Sequence, residues 1–286
     1  MSKKPTQNDG ATSTEVANAT NTAVAVEVNS SMFAADAGQG MEGASAESFA
    51  IPFLSVLQKG SPQVDEASGA ALEGAKAGMF FENVTNRMYD GKTGITIVPC
   101  SYKRVFIRWG AKDLGGGFKG EISADEIAEM RARGEIKELD GQLLAPLEDG
   151  SLNPKKSDTF KDTRNHYVLL VDSQTGAWTE ALLSLASTQI KKSKMLMSAL
   201  ASVKVNGPSG LFTPPTFANM VSVKTLGESN DKGTWFGVKF ELAGMVTRPE
   251  IYAAAKAFHA SVVKGAVVAK YEEGSGAPAH GEDGAF

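Results

Sequence analysis

The stretch from Ile95 to Trp109 constrains the fold of this chain more than any other. Ile95, Ile97, Val105, Ile107 and Trp109 share one parity, and Tyr102, Arg104, Phe106 and Arg108 share the other. Side chains alternate between the two faces of a strand, so the pattern predicts one long strand with an apolar face turned to a core. Its second face alternates aromatic and cationic residues. That combination suits a single-stranded polyanion, because rings stack bases, at roughly 1–3 kcal/mol each, while cations meet phosphates. The alternative is a second core, with the aromatics packed under a neighbouring segment and the arginines paired with its carboxylates.

Further strands are predicted at Asn165 to Asp172 and at Ala177 to Leu185, joined by the turn Ser173-Gln174-Thr175-Gly176. Ser187 is placed to cap a helix reaching about Val203, ended by Asn206-Gly207-Pro208. Phe217 to Val223 and Thr234 to Leu242 alternate as two more strands, separated by the polar loop 228–233. Thr247-Arg248-Pro249-Glu250 reads as a capping box for a last helix, with Ile251, Ala255, Phe258 and Val262 along one side. The predicted class is mainly β (α+β). The order strand, strand, strand, helix, strand, strand is that of an OB-fold, a five-stranded Greek-key barrel that often binds oligonucleotides. A long insertion, about 111–163, separates its first two strands. It holds a short helix capped by Ser123. Before the barrel, Phe49 to Leu57 is an apolar run and Met79 to Val84 a short strand, with a turn near Asp90-Gly91.

Residues 1–47 are rich in Ala, Ser, Thr, Asn and Gly and read as disordered; 48–270 read as one domain and 271–286 as a disordered acidic tail. The net charge of −4 hides a sorted distribution. Residues 95–270 carry 23 Lys/Arg against 18 Asp/Glu, whereas 1–94 carry 6 against 11 and 271–286 none against 4. A basic body between acidic flanks can attract a polyanion for which the tail competes. Lys155 and Lys156 are expected in a basic loop with Lys161 and Arg164. Lys191, Lys192 and Lys194 open the middle helix, where positive charge opposes the helix dipole and suits a phosphate partner, the alternative being a solvated helix face. Lys224, Trp235 and Lys239 lie on the strand parity opposite the apolar one, as a solvated sheet face would also arrange them.

Signals for catalysis are poor. His166, His259 and His280 have no metal-ligand spacing, and Cys100 sits alone in a strand. Gly115-Gly116-Gly117-Phe118-Lys119-Gly120 lacks the spacing and the Ser/Thr of a phosphate-binding loop. The expectation is a non-enzyme without cofactor or metal. One cysteine excludes an internal disulfide framework, no run approaches the roughly 18 apolar residues of a membrane span, and the first residues lack a signal peptide's apolar core. These features predict a protein of the cytoplasm, the host's if it is viral, with no membrane partner.

The last residues, Gly281-Glu282-Asp283-Gly284-Ala285-Phe286, place an aromatic side chain beside carboxylates. With the aromatic–cationic strand and the OB-like order, this tail resembles those of phage-type single-stranded DNA-binding proteins. The resemblance implies sequence-tolerant coating of single-stranded DNA during replication or recombination, with Glu282, Asp283 and Phe286 recruiting partner proteins. A homo-oligomer is compatible with it. The tail is less acidic than is usual in that family, and 48–94 has no counterpart there. The competing expectation is a structural or scaffolding protein that uses its β domain for assembly.

Overall fold

Two long antiparallel strands organise the chain. A computed structural model describes residues 33, 36, 37, 39–44, 48–231, 233–267 and 271. The chain divides into two units, 1–44 and 45–286. In the first, the described residues make turns, with backbone bonds from Asp36 to Phe33 and from Ala44 to Met41. The second contains, in order, β1 (Phe53–Val56), β2 (Phe80–Glu82), β3 (Arg87–Tyr89), β4 (Ile95–Trp109) and β5 (Phe118–Ser123). Then come α1 (Ala124–Ala132), β6 (Lys137–Leu139), β7 (Gln142–Leu144), β8 (Thr159–Val171) and β9 (Trp178–Ala186). The remainder is α2 (Ile190–Ser202), β10 (Val205–Gly207), β11 (Gly210–Phe212), β12 (Asn219–Asn230), β13 (Gly233–Met245) and α3 (Pro249–Val263). No helix among the described residues is long and apolar enough to cross a membrane.

The class is mainly β with a few helices, as expected, but the architecture is a curled, open, 11-stranded sheet rather than a five-stranded barrel. Its main path runs β13-β12-β4-β8-β9-β1-β2-β3. The five expected strands therefore lie in the spatial order fifth, fourth, first, second, third. No ladder joins the third to the fifth; β9 pairs instead with β1, in parallel. β8 runs along the whole of β4 from Thr96↔Val171 to Trp109↔Thr159. The other edge of β4 is divided, with β12 on residues 95–97 and β5 on 105–109.

A β-bulge between Pro99 and Ser101 breaks the parity that the sequence suggests. One extra residue, Cys100, sends the following side chains to the opposite face. Ile95 and Ile97 pack with Val168, Leu183, Val221 and α2's Leu196 and Leu200. Val105 and Ile107 join a different core, with Tyr167, Leu169 and α3's Phe258. The five residues read as one apolar face thus serve two cores on opposite sides of the sheet. Tyr102, Arg104, Phe106 and Arg108 fall on the side of Ile95 and Ile97.

The insertion builds a third, smaller core from Phe106, Ile127, Ile136 and Phe160. Helix α1 closes it, and Ser123 caps α1 as expected, its hydroxyl accepting from Glu126 N at 3.1 Å. Other local expectations fail for identifiable reasons. Ser187 does not cap α2, because it adopts a left-handed conformation (φ 52°) at the start of a 3-10 turn. Thr247 lies one residue outside α3, whose N-cap is Arg248 and whose first residue is Pro249, so no capping box forms. Ile251, Ala255, Phe258 and Val262 are all buried on α3 as read. Residues 205–212 form the hairpin β10–β11 where only a helix stop was expected. Tyr271, assigned to the tail, is buried against Phe53 and Phe118.

Phe106 has 6% of its surface exposed, inside the insertion core. Phe106→Ala is expected to destabilise the domain by about 3–5 kcal/mol, read by urea denaturation, because a buried ring leaves a cavity.

Candidate functional site

Between the two apolar clusters on the Ile95 side of the sheet lies a polar strip. The ladder sets Tyr102 opposite His166, Arg104 opposite Arg164, Phe106 opposite Asp162 and Arg108 opposite Phe160. Along the divided edge of β4, residues 98–104 are matched to neither β12 nor β5, which leaves Tyr102 and Arg104 between covered segments. Tyr102 is 37% exposed and tilted against the His166 ring, with centroids 5.2 Å apart.

Each arginine of β4 is tied in the same way. Arg104 lies over the Phe106 ring at 5.2 Å, and donates from Nε and Nη2 to Asp162 at 3.3 and 2.9 Å. Arg108 lies over Phe160 at 5.7 Å and contacts Asp158 at 2.7 Å. Both carboxylates have a second cation. Arg164 donates to Asp162 at 3.1 Å, and Lys119 to Asp158 at 3.0 Å. Burial alone would raise the Asp158 carboxyl, but hydrogen bonds from Lys119 and Arg108 hold it below its ordinary range. Four cations thus share two carboxylates, and the strip keeps a positive excess. Part of the expected binding face is therefore structural. Phe106 is buried, and Arg104 and Arg108 are ion-paired while still substantially exposed.

The other candidate residues do not converge here. Lys155 and Lys156 are exposed in the turn before Asp158, as expected, but Arg164 and Lys161 belong to β8 rather than to a loop. Phe160 and Phe118, aromatics that could have added stacking beside this basic stretch, are committed elsewhere: Phe160 is buried, and Phe118 packs against Trp109 and Tyr271. Lys191 is exposed on the first turn of α2, whereas Lys192 meets Glu228 at 2.7 Å. Glu228 also accepts from Trp235 Nε1 at 2.9 Å. Burial opposes ionisation of Glu228, yet its bonds to Lys192 and Trp235 keep its pKa below the usual value. Lys224 and Lys239 stand directly opposite each other on β12 and β13. Their neighbours Val223 and Val238 belong to the Ile95-side core, so both lysines point to the other face, where Lys239 pairs with Glu241 at 2.7 Å. Glu282, Asp283 and Phe286 lie outside the described residues.

Sequence reasoning missed Asp158, Asp162 and His166. The alternation Phe160, Asp162, Arg164, His166 was available, but a strand begun only at Asn165 hid it. Cys100 is buried and its thiol pushed up to about 12 by burial, and among the described residues no cluster of His, Cys, Asp or Glu could hold a metal. A cavity of about 370 Å³ lies elsewhere, near Tyr89, Thr96 and Gln174, and takes in none of the predicted site residues.

His166 is buried, with Nε2 2.7 Å from Ser193 Oγ. Burial, aided by the Arg164 charge, pulls its pKa down to about 4. An unfolded histidine takes its proton near pH ~6.5. Between those values the unfolded state holds more protons, so stability is full above the upper value and falls as pH drops through the window. The melting temperature is expected to decline already below pH ~6.5, above the carboxylate range, and His166→Gln should remove that early decline.

No curated protein and no solved structure matches the chain. A family model does, over residues 19–268, nearly the whole of the described fold, and on that match the chain belongs to the Pam3 phage gp34-like protein family.

Proposed function

We propose that this phage-family protein binds single-stranded DNA with little sequence preference, during replication or recombination in the host cytoplasm. The observation that carries the reading is the strip Tyr102-Arg104-Arg108-Arg164, in which cations outnumber carboxylates beside a half-open aromatic ring. Guanidinium groups and a ring face engage backbone and bases without reading base edges, so tolerance of sequence follows. The spatial order of the five main strands supports an OB-like reading of the sheet. The acidic segment containing Glu282, Asp283 and Phe286 would recruit partner proteins, with Phe286 as the apolar anchor.

Anisotropy of a labelled oligo-dT is expected to show binding that weakens with salt, with a log–log slope of about −0.7 for each phosphate neutralised. Tyr102→Ala should weaken binding, by roughly 1–3 kcal/mol if one base stacks there, with an unchanged melting curve. An affinity indifferent to salt, or to Tyr102, would remove the strip from the function. Assembly through the β domain is the competing reading, and it draws on the exposed Leu211 and Phe212 at the β10–β11 hairpin. Oligomers lost in a Leu211→Ser/Phe212→Ser variant, together with no oligo-dT binding, would favour it.

Removal of residues 281–286 should leave oligo-dT affinity intact or slightly higher, since two carboxylates no longer compete with phosphate. The same truncation should abolish capture of replication or recombination proteins in a pull-down. Identical partner sets for both forms would end the recruiting role.

A further inference from the structure

We infer that Arg104, Arg164 and Asp162 form a seat for one phosphate group, in which Asp162 holds the place of the anion until it arrives. The inference rests on the DNA-binding reading for the source of the phosphate, but its geometry stands apart from it. Arg104 and Arg164 are direct cross-strand partners, a pairing of like charges that is ordinarily destabilising. Asp162 is their shared carboxylate, and its Oδ2 accepts from both guanidiniums, at 2.9 and 3.1 Å. Two positive charges on one negative charge leave one unit uncompensated.

That excess sits in an unusual place. The Arg164 side chain is only 7% exposed, and its buried Nε has no hydrogen-bond partner among the described residues. A buried guanidinium with incomplete bonding is costly, and a second anion is the group that completes it. His166, next on the same face of β8, is held neutral at ordinary pH and supplies no countercharge. The two arginines differ in exposure. Arg164 is buried beneath, while Arg104 is 46% exposed and, stacked on Phe106 and bonded to Asp162, holds its fork at the surface where an oxyanion arrives. The fork geometry of guanidinium matches phosphate bidentately. Tyr102, one step along the same face, would flank the group attached to that phosphate.

The test uses the full chain, inorganic phosphate and oligo-dT as probes, and the variants Arg104→Ala and Asp162→Asn. Phosphate is expected to raise the melting temperature of the wild type at constant ionic strength, and Arg104→Ala should lose the part due to site binding. Asp162→Asn should melt lower without phosphate, because its two arginines then face each other without a carboxylate. Phosphate should restore that loss, and bind several-fold more tightly than to wild type, since the competing carboxylate is gone. Exclusion of phosphate from the protein surface stabilises every variant alike, so equal shifts in all three proteins would overturn the seat.

Oligo-dT separates this inference from the broader reading. If Arg104→Ala binds oligo-dT with wild-type affinity and salt slope, the seat is wrong while the DNA reading stands. If phosphate behaves as expected and oligo-dT does not bind, the seat serves a free oxyanion and the DNA reading falls. The Arg104 side chain is 46% exposed and belongs to none of the apolar cores, so its truncation is expected to keep a cooperative melting transition, which makes both outcomes readable.

Discussion

A single extra residue in the β4–β8 ladder decides how the rest of the structure is arranged. At Cys100 the register shifts between Pro99 and Ser101, and from there the side chains of β4 exchange faces. Before the bulge, Ile95 and Ile97 serve the core shared with α2. After it, Val105 and Ile107 serve the core covered by α3. Without the shift, the arginines of β4 would point into the α3 core and the isoleucines would share one side. The bulge lets one 15-residue strand hold two cores and a polar strip between covered segments. It is itself covered, since Cys100 is buried and its carbonyl accepts from His259 Nδ1 of α3 at 2.9 Å.

The charged strip follows from that arrangement. Its ion pairs are partly exposed, and isolated surface pairs contribute little to stability, typically below about 1 kcal/mol. Their value here is positional. Asp162 and Asp158 each hold an arginine over a phenylalanine, which keeps the cations ordered at the sheet surface without neutralising them. Order matters for recognition, because a side chain already fixed loses less entropy on binding. Like-charged cross-strand neighbours such as Arg104 and Arg164 conflict with sheet stability, and conflicts of this sort are expected at functional sites.

Strand content was legible where the alternation was clean, and α3 was read down to its four buried residues. The faces of β4 were not legible, because nothing in Pro99-Cys100-Ser101 announces a bulge; the count of residues against β8 creates it. The start of β8 was misplaced because Lys155 to Arg164 is charged and resembles a loop. Its alternate residues instead serve different purposes, with Phe160 in a core and Asp162 and Arg164 in the strip. Of the candidate residues, the tyrosine and the two arginines of β4 gather on one surface. Phe106 belongs to the insertion core, and Lys224 and Lys239 occupy the other side of the sheet. Strand parity within one element is read from sequence, but convergence between elements depends on pairing that local pattern does not contain.

The long edge of β13 shows the same dependence on distant partners. An unpaired strand edge invites further strands to add to it. Here two side-chain amides occupy part of that edge. Gln58 donates to the Phe236 carbonyl at 2.9 Å and accepts from its N–H at 2.8 Å, so its amide acts as one peptide unit of a missing neighbour. Gln189 accepts from Val238 N at 3.0 Å, two residues on, where the next outward-facing N–H of an antiparallel strand falls. Gln58 follows β1, which pairs in parallel with β9 at Phe53↔Leu182 and Leu54↔Leu183. The segment before the main β pattern therefore spans from the third main strand to the fifth, where a closed barrel would have a ladder. On the same flank Thr225 of β12 donates from N to the Gly91 carbonyl at 2.8 Å and from its hydroxyl to the Gly78 carbonyl at 2.6 Å, so this side of the curl is held by scattered bonds, whereas the polar strip lies on the continuous β4–β8 ladder at the centre.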